Sequence, residues 1–196
     1  MRFLAALLAC TSACTGWSPQ SPQPSHKRTA VHATDAAWQD FWQDLAARPE
    51  IRDAWRRAPC VLKGIAPADA LTLDALTQAV DADPSTLDDA ARVAHGASQG
   101  WTNVALDDDA RPSRRLRASS SKASVLLNHG GVAFPSLLGG ACRAAVDAFE
   151  QPVGLNVYLT GEDVEKAAPA HTDRQEVFVV QCAGAKRWRV FASASA

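Results

Sequence analysis

The sequence predicts an α+β chain, helical through its N-terminal half and β-rich from Gln151 onward. Two patterns carry that expectation. Trp38, Phe41, Trp42 and Leu45 recur at helical spacing, whereas Gly154 to Thr160 alternates apolar and polar residues as a half-buried strand does. Composition sets the limits: 196 residues with 47% apolar side chains can bury a core without disulfides or structural metals. A net charge of −1 gives no general attraction to nucleic acid or to an anionic membrane. The five cysteines are odd in number, widely spaced and lack a C-x-x-C pair, so neither a zinc site nor a disulfide framework is indicated.

Residues 1–16 read as a signal peptide outside the fold. Met1-Arg2 is a short positive start, Phe3 to Ala9 an apolar run too short to span a bilayer, and Cys10 to Gly16 a small-residue stretch suited to cleavage. A lipoprotein reading of Leu7-Leu8-Ala9-Cys10 is the lesser alternative. Residues 17–34, rich in Ser, Pro and Gln and free of acid, read as a linker or transit segment, which points to a secretory route or a plastid. No other segment reaches the length of a transmembrane helix.

Residues 35–150 form the helix-rich region. A helix starts near Asp35 and stops at Pro49, and its aromatic stripe is core. Ala58 to Ile65, bounded by Pro59 and Gly64, is a strand candidate. Thr72 caps a helix carrying Leu73, Leu76 and Val80, and helical character continues from Leu87 to Ala94. The arginines of Asp107 to Arg117 read as a solvated face or loop, although four of them close together could grip phosphate or an acidic partner. Ser124 to Asn128 is a strand candidate ended by Gly130-Gly131, and Pro135 opens a helix with Leu138, Cys142, Ala145 and Phe149 on one stripe.

Residues 151–196 are the β-region. Leu155, Val157 and Leu159 share one face of the first strand, and Asn156, Tyr158 and Thr160 the other. Glu176 to Cys182 and Lys186 to Phe191 read as a hairpin turned at Ala183-Gly184-Ala185. Between them, His171 and Asp173 stand two apart, so in extended chain both point the same way and could share one ion. Imidazole with carboxylate suits Fe(II) or another borderline divalent metal. The H-x-D spacing alone is common in ordinary loops.

Asn156 and Tyr158, then His171 and Asp173, then Phe178 and Gln181, then Gly184, Lys186 and Trp188 occur in an order that resembles the JmjC-domain oxygenases. The likeness is greatest to the cupin-like ribosomal oxygenase branch, whose members hydroxylate protein histidine or arginine and have been described as histone lysine demethylases. The resemblance implies an incomplete double-stranded β-helix, a JmjC/cupin half-barrel, after the helical half. It implies Fe(II) as metal and 2-oxoglutarate as cosubstrate. His171 and Asp173 would be iron ligands, Lys186 the cation for the distal carboxylate of 2-oxoglutarate, and Asn156, Tyr158 and Gln181 the pocket lining. The partner would be a protein substrate, ribosomal protein or histone, with no direct nucleic-acid signal.

The chain departs from the family pattern at its end. Family members carry their second histidine ligand several dozen residues after the H-x-D pair, and this sequence stops at Ala196. His95 and His129 precede the strands, and His26 and His32 lie in the linker; all four read as non-ligands. The expectation is therefore the N-terminal part of an Fe(II)- and 2-oxoglutarate-dependent protein hydroxylase or lysine demethylase, truncated and inactive as it stands. The alternatives are a non-catalytic JmjC/cupin-like binding module and a small-molecule-binding cupin.

Overall fold

Thr34 begins the first helix because its Oγ1 accepts the Ala37 N–H at 3.2 Å, which satisfies a donor the helix itself leaves open. In this computed structural model, residues 3–10, 33–86, 91–94, 101–103, 111–164, 167–168, 170–173 and 175–191 are described. Helix α1 (Asp35–Ala47) buries Trp38, Phe41, Trp42 and Leu45, and Pro49 then opens the short α2 (Pro49–Ala54). Thr72 caps α3 (Leu73–Ala82) through the Ala75 N–H at 3.1 Å. After these come β2 (Ala91–Ala94), β3 (Trp101–Asn103), α4 (Pro112–Lys122), β4 (Ser124–Leu127), α5 (Gly130–Ala133), α6 (Pro135–Phe149), β5 (Val153–Thr160) and β6 (Glu176–Ala183).

Strand β1 is Phe3–Cys10, and it lies inside the sheet. The strand order is β3-β2-β4-β5-β1-β6, and every pairing is antiparallel. Strands β5 and β6 therefore run parallel with β1 between them. Ala5 stands opposite Tyr158 of β5 on one side and Gln181 of β6 on the other. The sequence reading put this stretch outside the fold as a leader. Here its backbone pairs with both β5 and β6.

Helices α1 and α6 pack along each other and cover one face of the sheet. Leu155, Val157, Leu159 and Val180 meet Trp38, Trp42, Leu138 and Ala145 in a single core. Glycines permit close approaches between elements, as at two positions. A Cβ on Gly140 would collide with the Asp35 carboxylate, and one on Gly130 would sit 2.8 Å from Leu155 Cδ2. Trp42 rests edge-on against Phe149 and Phe178 at 6.1 and 5.6 Å, which ties α1 to α6 and to β6.

The mixed fold with its helices ahead of the main strands follows the expectation and is consistent with part of a cupin-type fold. Four local readings are corrected. Ala58 to Ile65 has no strand partner and runs irregularly, with Gly64 at φ +70° and Val61 exposed. Ala91–Ala94, expected to be helical, is a strand because β4 offers it a partner from Ala91 opposite Leu127 to Ala94 opposite Ser124; His95 and residues 87–90 lie outside the described residues. The arginine-rich stretch, read as a solvated face or loop, is from Pro112 a helix and not a loop, with Arg111 and Arg114 exposed, docked where Asp81 accepts the Ser113 N–H at 2.9 Å and its hydroxyl at 2.7 Å. Lys186 to Phe191 does not fold back as a second hairpin strand. It leaves β6 through Gly184 at φ +67°, with Trp188, Val190 and Phe191 exposed. Among the described residues no helix is long and apolar enough to cross a membrane.

Candidate functional site

Alternation along β5 decides what the site can be made of. Leu155, Val157 and Leu159 are buried against the helices, which turns Asn156 and Tyr158 to the opposite face, where both are half-buried. Thr160, on that same face, is buried at the strand end and shares a hydrogen bond with the Ser124 hydroxyl at 2.8 Å across β4 and β5. Asn156 also does more than line a surface. Its Oδ1 accepts the backbone N–H of His129 at 3.1 Å, where His129 takes φ +53° to start α5. No side-chain pattern announces a backbone donor. The only hint in the sequence is the Asn-His-Gly-Gly turn.

Tyr158 is the meeting point. Lys186 Nζ lies 5.8 Å from its ring centre, within reach of a cation–π attraction. That contact also explains the missing hairpin strand, because the chain after Gly184 carries Lys186 toward the β5 face instead of back along β6. Burial pushes the Tyr158 phenol above its ordinary value, the Asp173 charge pushes the same way, and a hydrogen bond from Asn156 opposes both. Asp173 is thus close enough to be felt at Tyr158. The Lys186 ammonium is lowered to about 8 by burial.

His171 and Asp173 lie in irregular chain just before β6, with His171 Nε2 3.6 Å from Asp173 Oδ2. Their side chains are 45% and 39% exposed, so an incoming ion or solute can reach them. Gln181, half-buried on β6, donates to the Ala183 carbonyl at 2.7 Å and so helps fix the strand end from which Lys186 departs. The structure therefore brings Asn156, Tyr158, Asp173, His171 and Lys186 to one side of the sheet end. Gln181 is separated from Tyr158 by the width of β1.

The donor set fits a metal in part. Two ligands bound at about 2.1 Å and at right angles stand about 3 Å apart, so the His171 and Asp173 atoms need only close slightly to share an ion. Among the described residues no third His, Cys, Asp or Glu joins them. His129 takes part through its backbone at Asn156 instead.

The family model for the JmjC domain matches residues 141–196, from α6 through β6 to the end of the chain. Over that stretch the chain is similar to the JmjC domain. It is 46% identical over 54 residues to a bifunctional lysine-specific demethylase and histidyl-hydroxylase NO66 of Drosophila grimshawi, covering 28% of this chain and 7% of that protein. It is 45% identical over 51 residues to the protein of the same name in Drosophila mojavensis, covering 26% of this chain and 6% of that one. The match thus spans less than a tenth of these relatives. No solved structure matches the chain. These findings support the JmjC family and its ribosomal oxygenase branch for the C-terminal part.

Proposed function

We propose that this chain is part of an Fe(II)- and 2-oxoglutarate-dependent protein hydroxylase or lysine demethylase of the JmjC type. The observation that carries the reading is the gathering at Tyr158 of a metal-capable pair, through Asp173, and of a partly desolvated cation, Lys186. His171 Nε2 and Asp173 Oδ2 would hold the iron. Lys186, withdrawn from water, would hold the distal carboxylate of 2-oxoglutarate by a charge-assisted hydrogen bond. Asn156 and Tyr158 would line the cosubstrate pocket, and Gln181 its far wall. The iron with 2-oxoglutarate supplies the oxidising chemistry when bound, so no side-chain nucleophile or general base is required. The substrate class, a histidyl or lysyl side chain of a protein, follows from the names of the two relatives.

A second reading is a non-catalytic binding module, and the absence of a third ligand beside His171 and Asp173 among the described residues favours it. Calorimetric titration with Mn(II) as a redox-silent stand-in for Fe(II), followed by 2-oxoglutarate, separates the two. Metal-dependent binding of 2-oxoglutarate that is lost in Lys186→Ala and Asp173→Ala supports the enzyme reading. Absence of metal binding in the unmodified chain overturns it.

A further inference from the structure

Strand β1 sits where the site is divided. Asn156 and Tyr158 are on β5 and Gln181 is on β6, and the two strands have no direct pairing; each pairs with β1. Leu7 stands opposite both Asn156 and Val179, and Ala5 opposite both Tyr158 and Gln181. The two halves are thus held two strand spacings apart, about 9.6 Å, by a segment from the far end of the chain. Among the described residues β6 has no other strand partner.

The segment itself is unusual for a central strand. Phe-Leu-Ala-Ala-Leu-Leu-Ala-Cys contains no charge, no proline and no polar alternation. Central strands gain register from alternation, and this one has none to offer. Its pairing with β6 shifts between Leu4 and Ala5. What holds it is backbone hydrogen bonding on both sides, which any similar extended peptide could supply.

We infer that the gap between β5 and β6 is a strand-acceptor slot, that Phe3–Cys10 is its exchangeable occupant, and that filling the slot assembles the site. The regulatory part rests on the function proposed above. Whatever cleaves or captures Phe3–Cys10, the stretch whose sequence reads as a leader, separates Gln181 and the route to Lys186 from Asn156 and Tyr158. The site is then switched off without any change to its own residues.

The test is amide hydrogen exchange on the full chain and on Leu7→Pro, which removes a ladder donor from the middle of β1. In the unmodified chain the amides of Glu176–Ala183 are protected; in Leu7→Pro they exchange at least tenfold faster while α1 and α6 are unchanged. A synthetic Phe3–Cys10 peptide with a short lysine tail, added in excess, restores the protection. Equal exchange of β6 in both chains, or no response to the peptide, overturns the inference. Should Leu7→Pro also expose α1 and α6, the pair Leu7→Cys with Val179→Cys decides: oxidation of the folded chain must cross-link the two and raise β6 protection, and failure to cross-link overturns it. Exchange is read without metal or cosubstrate. If it behaves as described while no variant binds 2-oxoglutarate, the slot stands and the enzyme reading falls.

Discussion

Lys186 Nζ sits 5.8 Å from the centre of the Tyr158 ring, on the side of β5 that faces away from the helices. The ammonium is partly withdrawn from water by the contact, and burial lowers it to about 8. A cation so placed is both a better anion anchor and one that can lose its proton in mild alkali.

On the proposed function, Lys186 makes 2-oxoglutarate binding pH-dependent. The proton is present below about 8 and lost above it, so affinity falls as pH rises through that value. Bound dianion favours the charged form and moves the midpoint upward. Lys186→Arg, always charged, should flatten the profile, and Lys186→Met should weaken binding about 10- to 100-fold at neutral pH. Titration calorimetry across the pH range reads both.

Tyr158 is the chain's one tyrosine, so tyrosinate absorbance reports this residue alone. Asp173→Asn removes a negative charge that raises the phenol and should lower its midpoint. Asn156→Ala removes the opposing hydrogen bond and should raise it. A midpoint that ignores Asp173→Asn would separate the His171-Asp173 pair from the β5 face.

Trp42 links α1, α6 and β6 through its two edge-on contacts with Phe149 and Phe178. Trp42→Ala should cost about 3–5 kcal/mol of stability, read from urea unfolding by circular dichroism.

Glu176, the first residue of β6, accepts from Arg56 Nε at 2.6 Å. The Arg56 hydrogen bond holds its carboxyl below the ordinary value, so the contribution is fully present above about 4.5 and is lost as pH falls below that. Arg56 is well exposed, which limits the worth of the pair to at most about 1 kcal/mol. Glu176→Gln should lower stability at neutral pH by up to that amount, and the difference should shrink as pH falls below about 4.5. Denaturant midpoints above and below that pH give the comparison.

Long, strictly periodic stretches were legible. The α1 stripe and the β5 alternation each repeat one pattern through their length, and the Thr34 and Thr72 caps are local chemistry. Ala91–Ala94 was not, because its strand state comes from β4 rather than from its own residues. The pairing of Phe3–Cys10 was not legible either, because a short apolar run has the same composition in a leader and in a strand. In the site, the spacing of His171 and Asp173 and the order of Asn156, Tyr158 and Lys186 were readable. The His129 donor to Asn156 and the separation of Gln181 from Tyr158 by β1 were not, since both are backbone relationships made by the fold.

The insertion of β1 between β5 and β6 has a consequence in time. Phe3–Cys10 is synthesised about 170 residues before its partner β6. At the usual 5–20 residues per second, the segment waits about 10–30 s as bare apolar chain. During that interval its β6 partner does not yet exist, so the sheet closes only after nearly all of the described chain has been made.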